Sequence, residues 1–153
     1  MNSNIKIKNV IQPCGCDVVL PLALVYSLYI VLHGHLSPGG GFQGGVVMAA
    51  VVLLLFFGHG YETTVNALSF HLLHEGEGVA SIAYVALALL GVAMGAQFCQ
   101  NVLYAQGNVG DLYSAGTIFW MNLVVGIKVI TGIGSISLLM IGVFVGKDAT
   151  HKE

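Results

Sequence analysis

Apolar positions along this chain come in long, almost uninterrupted runs separated by short polar or glycine-rich breaks. A bilayer span needs roughly 20 apolar residues, and runs of that order can be placed four times. The first is centred on residues 18–32 (VVLPLALVYSLYIVL) and reaches span length over 14–33, with Pro21 expected in its first turn, where a missing N–H is tolerated. The second covers 42–58 and the third 79–102. The fourth, 120–146, lies inside a longer apolar stretch that opens at Thr117, so either a lead-in precedes Asn122 or the helix is strongly tilted. The pattern predicts an all-α integral membrane fold: one domain over residues 1–153, with four transmembrane helices and a Gly/Pro-rich break between the first two.

Composition supports a bilayer over water as the solvent. Hydrophobic residues make up 56% of the chain and charged residues 8%, against about a quarter charged in soluble domains. That is too little charge to clothe a water-facing surface. Arginine is absent, and a net charge of −2 without a basic patch leaves no electrostatic footprint for nucleic acid. No small-x-small site follows the first run, which is therefore read as a retained span and not a cleaved signal peptide. Four of the five lysines (Lys6, Lys8, Lys147, Lys152) sit on the tails. Lysine bias predicts a multi-pass protein of the cell membrane with both termini cytoplasmic. The Gly/Pro break and the loop near Asp111 would then face outward. The acidic 58–78 connection would face the cytoplasm, carrying a short interfacial helix with Val65, Leu68 and Leu72 on one face, ended by Gly76 and Gly78.

Within this frame a few residues carry chemistry or special packing. The break reads HGHLSPGGGFQGG over 33–45. Its Gly39-x-Gly41-x-x-Gly44 matches a dinucleotide fingerprint, but that motif needs a soluble βαβ unit which this composition cannot supply. Pro38 stops one helix, Gly39, Gly40 and Gly41 permit positive φ or close backbone approach, and Phe42 re-enters the membrane with Gly44 and Gly45 in its first turn. The break is either a cavity-lining or docking element, or an ordinary surface turn. Gly91, Gly95 and Cys99 fall four apart in the third run, the small-xxx-small spacing of closely packed membrane helices. Lys128 is the one formal charge inside an apolar run. It lies near the midplane if its helix starts at Thr117, and within snorkelling reach of the surface if the start is Asn122.

Other constellations are weaker. Cys14 and Cys16 have no second pair to complete a four-ligand metal site. His71, His74 and Glu75 lack a further ligand, and a His33–His59 haem ligation would need both rings at one depth. No metal or cofactor is expected.

The stretch YIVLHGHLSPGGGFQGGVVMAA closely resembles the signature of the MnhB/MrpB family: a helix, then Gly-His-x-x-Pro-Gly-Gly-Gly-Phe-x-Gly-Gly, then a second helix. Those positions are Gly34, His35, Pro38, Gly39, Gly40, Gly41, Phe42, Gly44 and Gly45 here. The stretch SAGTIFWMNLVVGIKVITG is similar to the family's fourth-span entry, with Asn122 where many members carry an acid. The resemblance runs from about Asp17 to Gly146. It implies a small membrane subunit, without catalytic activity of its own, of a multisubunit machine that moves Na⁺ and H⁺. That machine is either an Mrp-type Na⁺/H⁺ antiporter or the Mrp-like module of a ferredoxin-linked membrane-bound hydrogenase or sulfur-reducing complex, and its partners are the other membrane subunits. Lys128, His35 and Asn122 are the candidates for the ion path. A purely structural spacer of the same complex and an independent haem-binding redox carrier are the alternatives.

Overall fold

The computed structural model describes residues 3–105, 108 and 110–150, with side chains described over 11–105, 108 and 110–143. Lys152, one of the lysines behind the expected orientation, lies outside them. Five helices follow one another: α1 (Ser3–His33), α2 (Gly41–His59), α3 (Tyr61–Ala67), α4 (Phe70–Ala93) and α5 (Thr117–Thr150). Among the described residues there is no strand. Four stretches are long and apolar enough to cross a membrane: Ile11–His33, Gly41–His59, Phe70–Ala93 and Thr117–Val143. The chain is a multi-pass helical membrane protein.

The spans pack in the order α1, α2, α5, α4. Helix α2 lies between α1 and α5, and α4 leans on α5 from another side. A small apolar cluster of Val52, Leu73 and Leu138 joins α2, α4 and α5, with Leu68 against it. Elsewhere the spans turn large apolar side chains outward, such as Leu22, Val25, Ile82 and Val143. In water these would be a liability; in lipid they cost nothing, because the surrounding solvent is as apolar as the side chains.

The first and second spans fall within a few residues of their expected positions, but three other expectations need correction. The third span is Phe70–Ala93, not 79–102. Its polar start (His71, His74, Glu75, Glu77) reads as connection in a hydropathy profile, yet the helix runs through it, carrying Gly76 and Gly78 as interior residues. At the other end, the apolar residues after Ala93 are not helical. Gly95 and Cys99 take positive φ, at 77° and 60°, and the chain folds back to spend its amides on the helix's last carbonyls. Ala96 N donates to Gly91 O at 2.9 Å and Cys99 N to Ala88 O at 3.1 Å. The expected interfacial helix shrinks to the seven residues of α3, and Leu72 belongs to α4. Finally, Pro13 and Pro21 are both inside α1, because that helix starts at Ser3. Pro21 therefore leaves the Asp17 carbonyl without its intrahelical donor.

The fourth span has no lead-in. Helix α5 starts at Thr117, and that start is built by a residue far away in sequence. Asn101 accepts from Thr117 N at 2.9 Å and from Thr117 Oγ1 at 2.7 Å, and its Nδ2 donates to Ala115 O at 3.0 Å. Thr117 Oγ1 accepts in turn from Val102 N at 3.1 Å. Asn101 thus supplies a side-chain oxygen to an orphan amide of the first turn, the service an N-cap residue performs from the adjacent position.

Candidate functional site

The Gly/Pro break and the fourth span meet in one junction. A helix end leaves carbonyls without donors, and a helix start leaves amides without acceptors. Here one side chain serves both. Asn122, on α5, accepts from Gly41 N at 2.6 Å through Oδ1 and donates from Nδ2 to Val31 O at 2.8 Å. It ties the last turn of α1 to the first turn of α2. Rotating the amide by 180° would set NH₂ against N–H and oxygen against oxygen, so the chemistry fixes its orientation.

Around this amide the glycines act by size. None of Gly34, Gly39, Gly40, Gly41, Gly44 and Gly45 takes positive φ, which removes one of the two roles expected of the break. Close approach is the one that remains. A Cβ on Gly41 would stand inside the shell of the Asn122 carbonyl oxygen and 2.8 Å from Gly126 N. One on Gly34 would stand 2.7 Å from Asn122 Nδ2. Gly44 and Gly45 divide the neighbours between them. A methyl on Gly44 would meet Val31 of α1 at 2.6 Å, and one on Gly45 would meet Val129 of α5 at 2.7 Å. Ser27, fully buried, donates to Gly44 O at 2.9 Å and adds a second tie between α1 and α2. Pro38 and Phe42 face outward, Phe42 with more than half its surface exposed.

His35 closes the outer side of the junction. Its ring meets Phe119 edge-on, with centroids 5.3 Å apart, and Phe119 in turn touches Tyr113 and Trp120. Both His35 ring nitrogens are shielded, and neither has a hydrogen-bond partner among the described residues.

Lys128 is not part of this junction. Six residues beyond Asn122 along α5, it is rotated by about 120° around the axis, since each residue turns the helix about 100°. It faces α4, where its Nζ donates to Ser81 Oγ at 2.6 Å and Ser81 Oγ donates onward to Glu77 O at 2.9 Å. The two lie in a groove of about 350 Å³ between α4 and α5, lined also by Tyr84, Val85, Val124 and Val125. The antiparallel register that pairs Lys128 with Ser81 pairs Gly132 with Glu77, whose carboxyl carbon is 3.7 Å from where a Gly132 Cβ would stand. Glu77, read from sequence as part of a connection, is a span residue one turn from Ser81. Among the described residues, the ion pairs are His59–Asp17 at 3.2 Å and His71–Glu75 at 3.4 Å, and no carboxylate comes within 4.0 Å of the Lys128 ammonium.

The structure therefore brings Asn122 and His35 to one junction and puts Lys128 in another place. The small-residue stripe is not a helix face: only Gly91 lies in α4. It is small because the returning chain lies on it, with Gln97 O 2.5 Å from where its Cβ would be. The histidines considered for haem are at opposite ends of the α1–α2 pair, and His74 is stacked on Phe70. Ser81 and Asn101 carried no sequence signal, since a lone Ser or Asn says nothing until the partner helix is in place.

A four-span helical bundle with a glycine junction at the turn between its first two spans defines a small polytopic membrane protein built for tight helix contact. The chain belongs to the family described as the domain related to the MnhB subunit of Na⁺/H⁺ antiporters, whose model matches residues 13–135. It is 28% identical over 124 residues to an uncharacterized protein of Methanocaldococcus jannaschii, covering 78% of this chain and 47% of that one. It is 34% identical over 67 residues to a Na⁺/H⁺ antiporter subunit from Alkalihalophilus pseudofirmus, covering 44% of this chain and 46% of that one. The fold matches a chain in the structure of the membrane-bound sulfane sulfur reductase, an archaeal respiratory membrane complex. That match has a TM-score of 0.70 and 32% identity, over 86% of this chain and 57% of that one. The chain spans about half the length of the curated relatives it matches.

Proposed function

We propose that this chain is a non-catalytic membrane subunit of a multisubunit cation- and proton-translocating complex, either an Mrp-type Na⁺/H⁺ antiporter or a redox-driven respiratory relative. Family membership and the likeness to a respiratory-complex chain support that setting. The two sites then divide the work. The junction is scaffold: both polar ends of Asn122 are engaged with backbone, and an amide has no proton to hand on. The Lys128 groove is the transport element, and His35 is the titratable side chain at the junction. Both termini are cytoplasmic in this reading, which rests on the tail lysines.

The observation that carries the assignment is the depth of Lys128. It stands about 16 Å along the axis from Thr117 and about 22 Å from Val143, at 1.5 Å per residue. Along α5 both distances are long enough to hold Lys128 inside a hydrocarbon layer about 30 Å thick. Intramembrane ionisable groups are costly and mark ion or proton paths. In the reconstituted complex, Lys128→Met keeps most of the stem and removes the charge. The complex should assemble, with coupled Na⁺/H⁺ transport reduced sharply. Wild-type transport by a normally assembled Lys128→Met complex would refute the role and leave a structural spacer.

A further inference from the structure

Among the described residues the ammonium of Lys128 has one partner, the Ser81 hydroxyl, and a hydroxyl carries no compensating charge. Its side chain is exposed on the outside of the α4–α5 pair, so the groove opens away from the bundle. Lipid cannot answer that charge. Phosphate headgroups lie beyond the hydrocarbon layer, and from the depth of Lys128 the remaining distance exceeds what four methylenes can cover. The walls around the ammonium are Tyr84, Val85, Val124 and Val125, an apolar lining that suits a packed helix.

We infer that the α4–α5 groove receives a membrane-spanning helix of a neighbouring subunit, and that this helix presents a carboxylate to Lys128. The inference rests on the reading of the chain as a complex subunit. Charge complementarity and depth together select the occupant: a protein helix is the component that can bring a carboxylate to that depth. Small and branched walls (Val85, Val124, Val125) leave room for it to approach, and Ser81 holds the ammonium in place. Glu77 is the competing internal counter-charge. It lies one turn away against Gly132, and a swing of its side chain toward Lys128 would satisfy the pair without any partner.

The test uses the purified intact complex. A photo-reactive phenylalanine replacing Val124 should cross-link to a membrane segment of another subunit, and the mapped peptide should carry Asp or Glu within one helical turn of the adduct. Lys128→Glu should lower recovery of that subunit on the order of ten-fold or more, because like charges then face each other across the contact. Changing the mapped acid to Lys in the same complex should restore it. Glu77→Gln should leave recovery at the wild-type level. Adducts with lipid alone, or with a peptide lacking an acid, would overturn the inference. So would a Glu77→Gln variant that loses the partner as Lys128→Glu does. The complex-subunit reading fails separately, if the unmodified chain copurifies with no other membrane subunit.

Discussion

Asn122→Leu removes the junction's amide while keeping a side chain of similar size and branching. Two groups lose their partner at once: the Gly41 amide, held at 2.6 Å, and the Val31 carbonyl, held at 2.8 Å. Both sit where α1, α2 and α5 converge. His33 O is taken by Leu36 N and Ser37 N, at 2.9 Å each. An orphaned buried donor or acceptor costs about 1–3 kcal/mol, whereas polar contacts between membrane helices measure about 0.6–2 kcal/mol. The lower scale applies to a reference state still in the membrane, so the expected loss for the pair is about 2–3 kcal/mol. Trp120, the chain's single tryptophan, lies two residues from the substitution against Phe119 and reports unfolding in detergent–SDS mixed micelles. The transition should move to lower SDS by the equivalent of that energy. Ser27→Ala is the calibrating variant: its acceptor, Gly44 O, lies inside α2 and keeps a helical donor, so its cost should stay near 1 kcal/mol. An Asn122→Leu midpoint indistinguishable from wild type, or a smaller effect than Ser27→Ala, would refute the clamp.

The two glycines that look equivalent in the break should separate. Gly41→Ala drives a methyl into the Asn122 carbonyl and must push α2 off α5, at a cost of about 3 kcal/mol or more, read as lost complex assembly. Gly40→Ala meets the flexible Gln43 side chain at 3.1 Å and Asn122 Oδ1 at an ordinary contact distance of 3.5 Å, in an extended backbone that any residue adopts (φ −146°), and should assemble normally. Assembly of Gly41→Ala at wild-type yield would show that α2 and α5 are not in backbone contact. Asn101→Leu should release the amide of Thr117, whose acceptor it removes, seen as faster hydrogen exchange at that position. The amide of Gly41 should remain protected, and exchange rising equally at both places would show that loop and junction unfold as one unit.

The number of spans, the place of the break between the first two, and the membrane as solvent were legible in the sequence. Transfer from water to hydrocarbon is a property each residue contributes nearly by itself, so a run of Val, Leu and Phe announces itself without its neighbours. The motif from Gly34 to Gly45 was legible for the same local reason, and with it the family. What the tertiary structure decided is everything that depends on two segments meeting. Residues 94–102 extend the third apolar run in the sequence, with Gln97, Gln100 and Asn101 among them, and they leave the helix where Gly95 and Cys99 turn left-handed and the chain returns onto the carbonyls of Ala88 and Gly91. Glu75 and Glu77 are polar enough to read as a loop, yet they ride in α4. Gly41 and Gly40 are the same residue type side by side, and differ in how closely the α5 backbone approaches each. Lys128 had two possible depths until the start of α5 was placed at Thr117, and it had no partner until the antiparallel register of α4 set Ser81 opposite it. Register and rotation of packed helices are set by interdigitation over many side chains at once, and no single position along the chain records them.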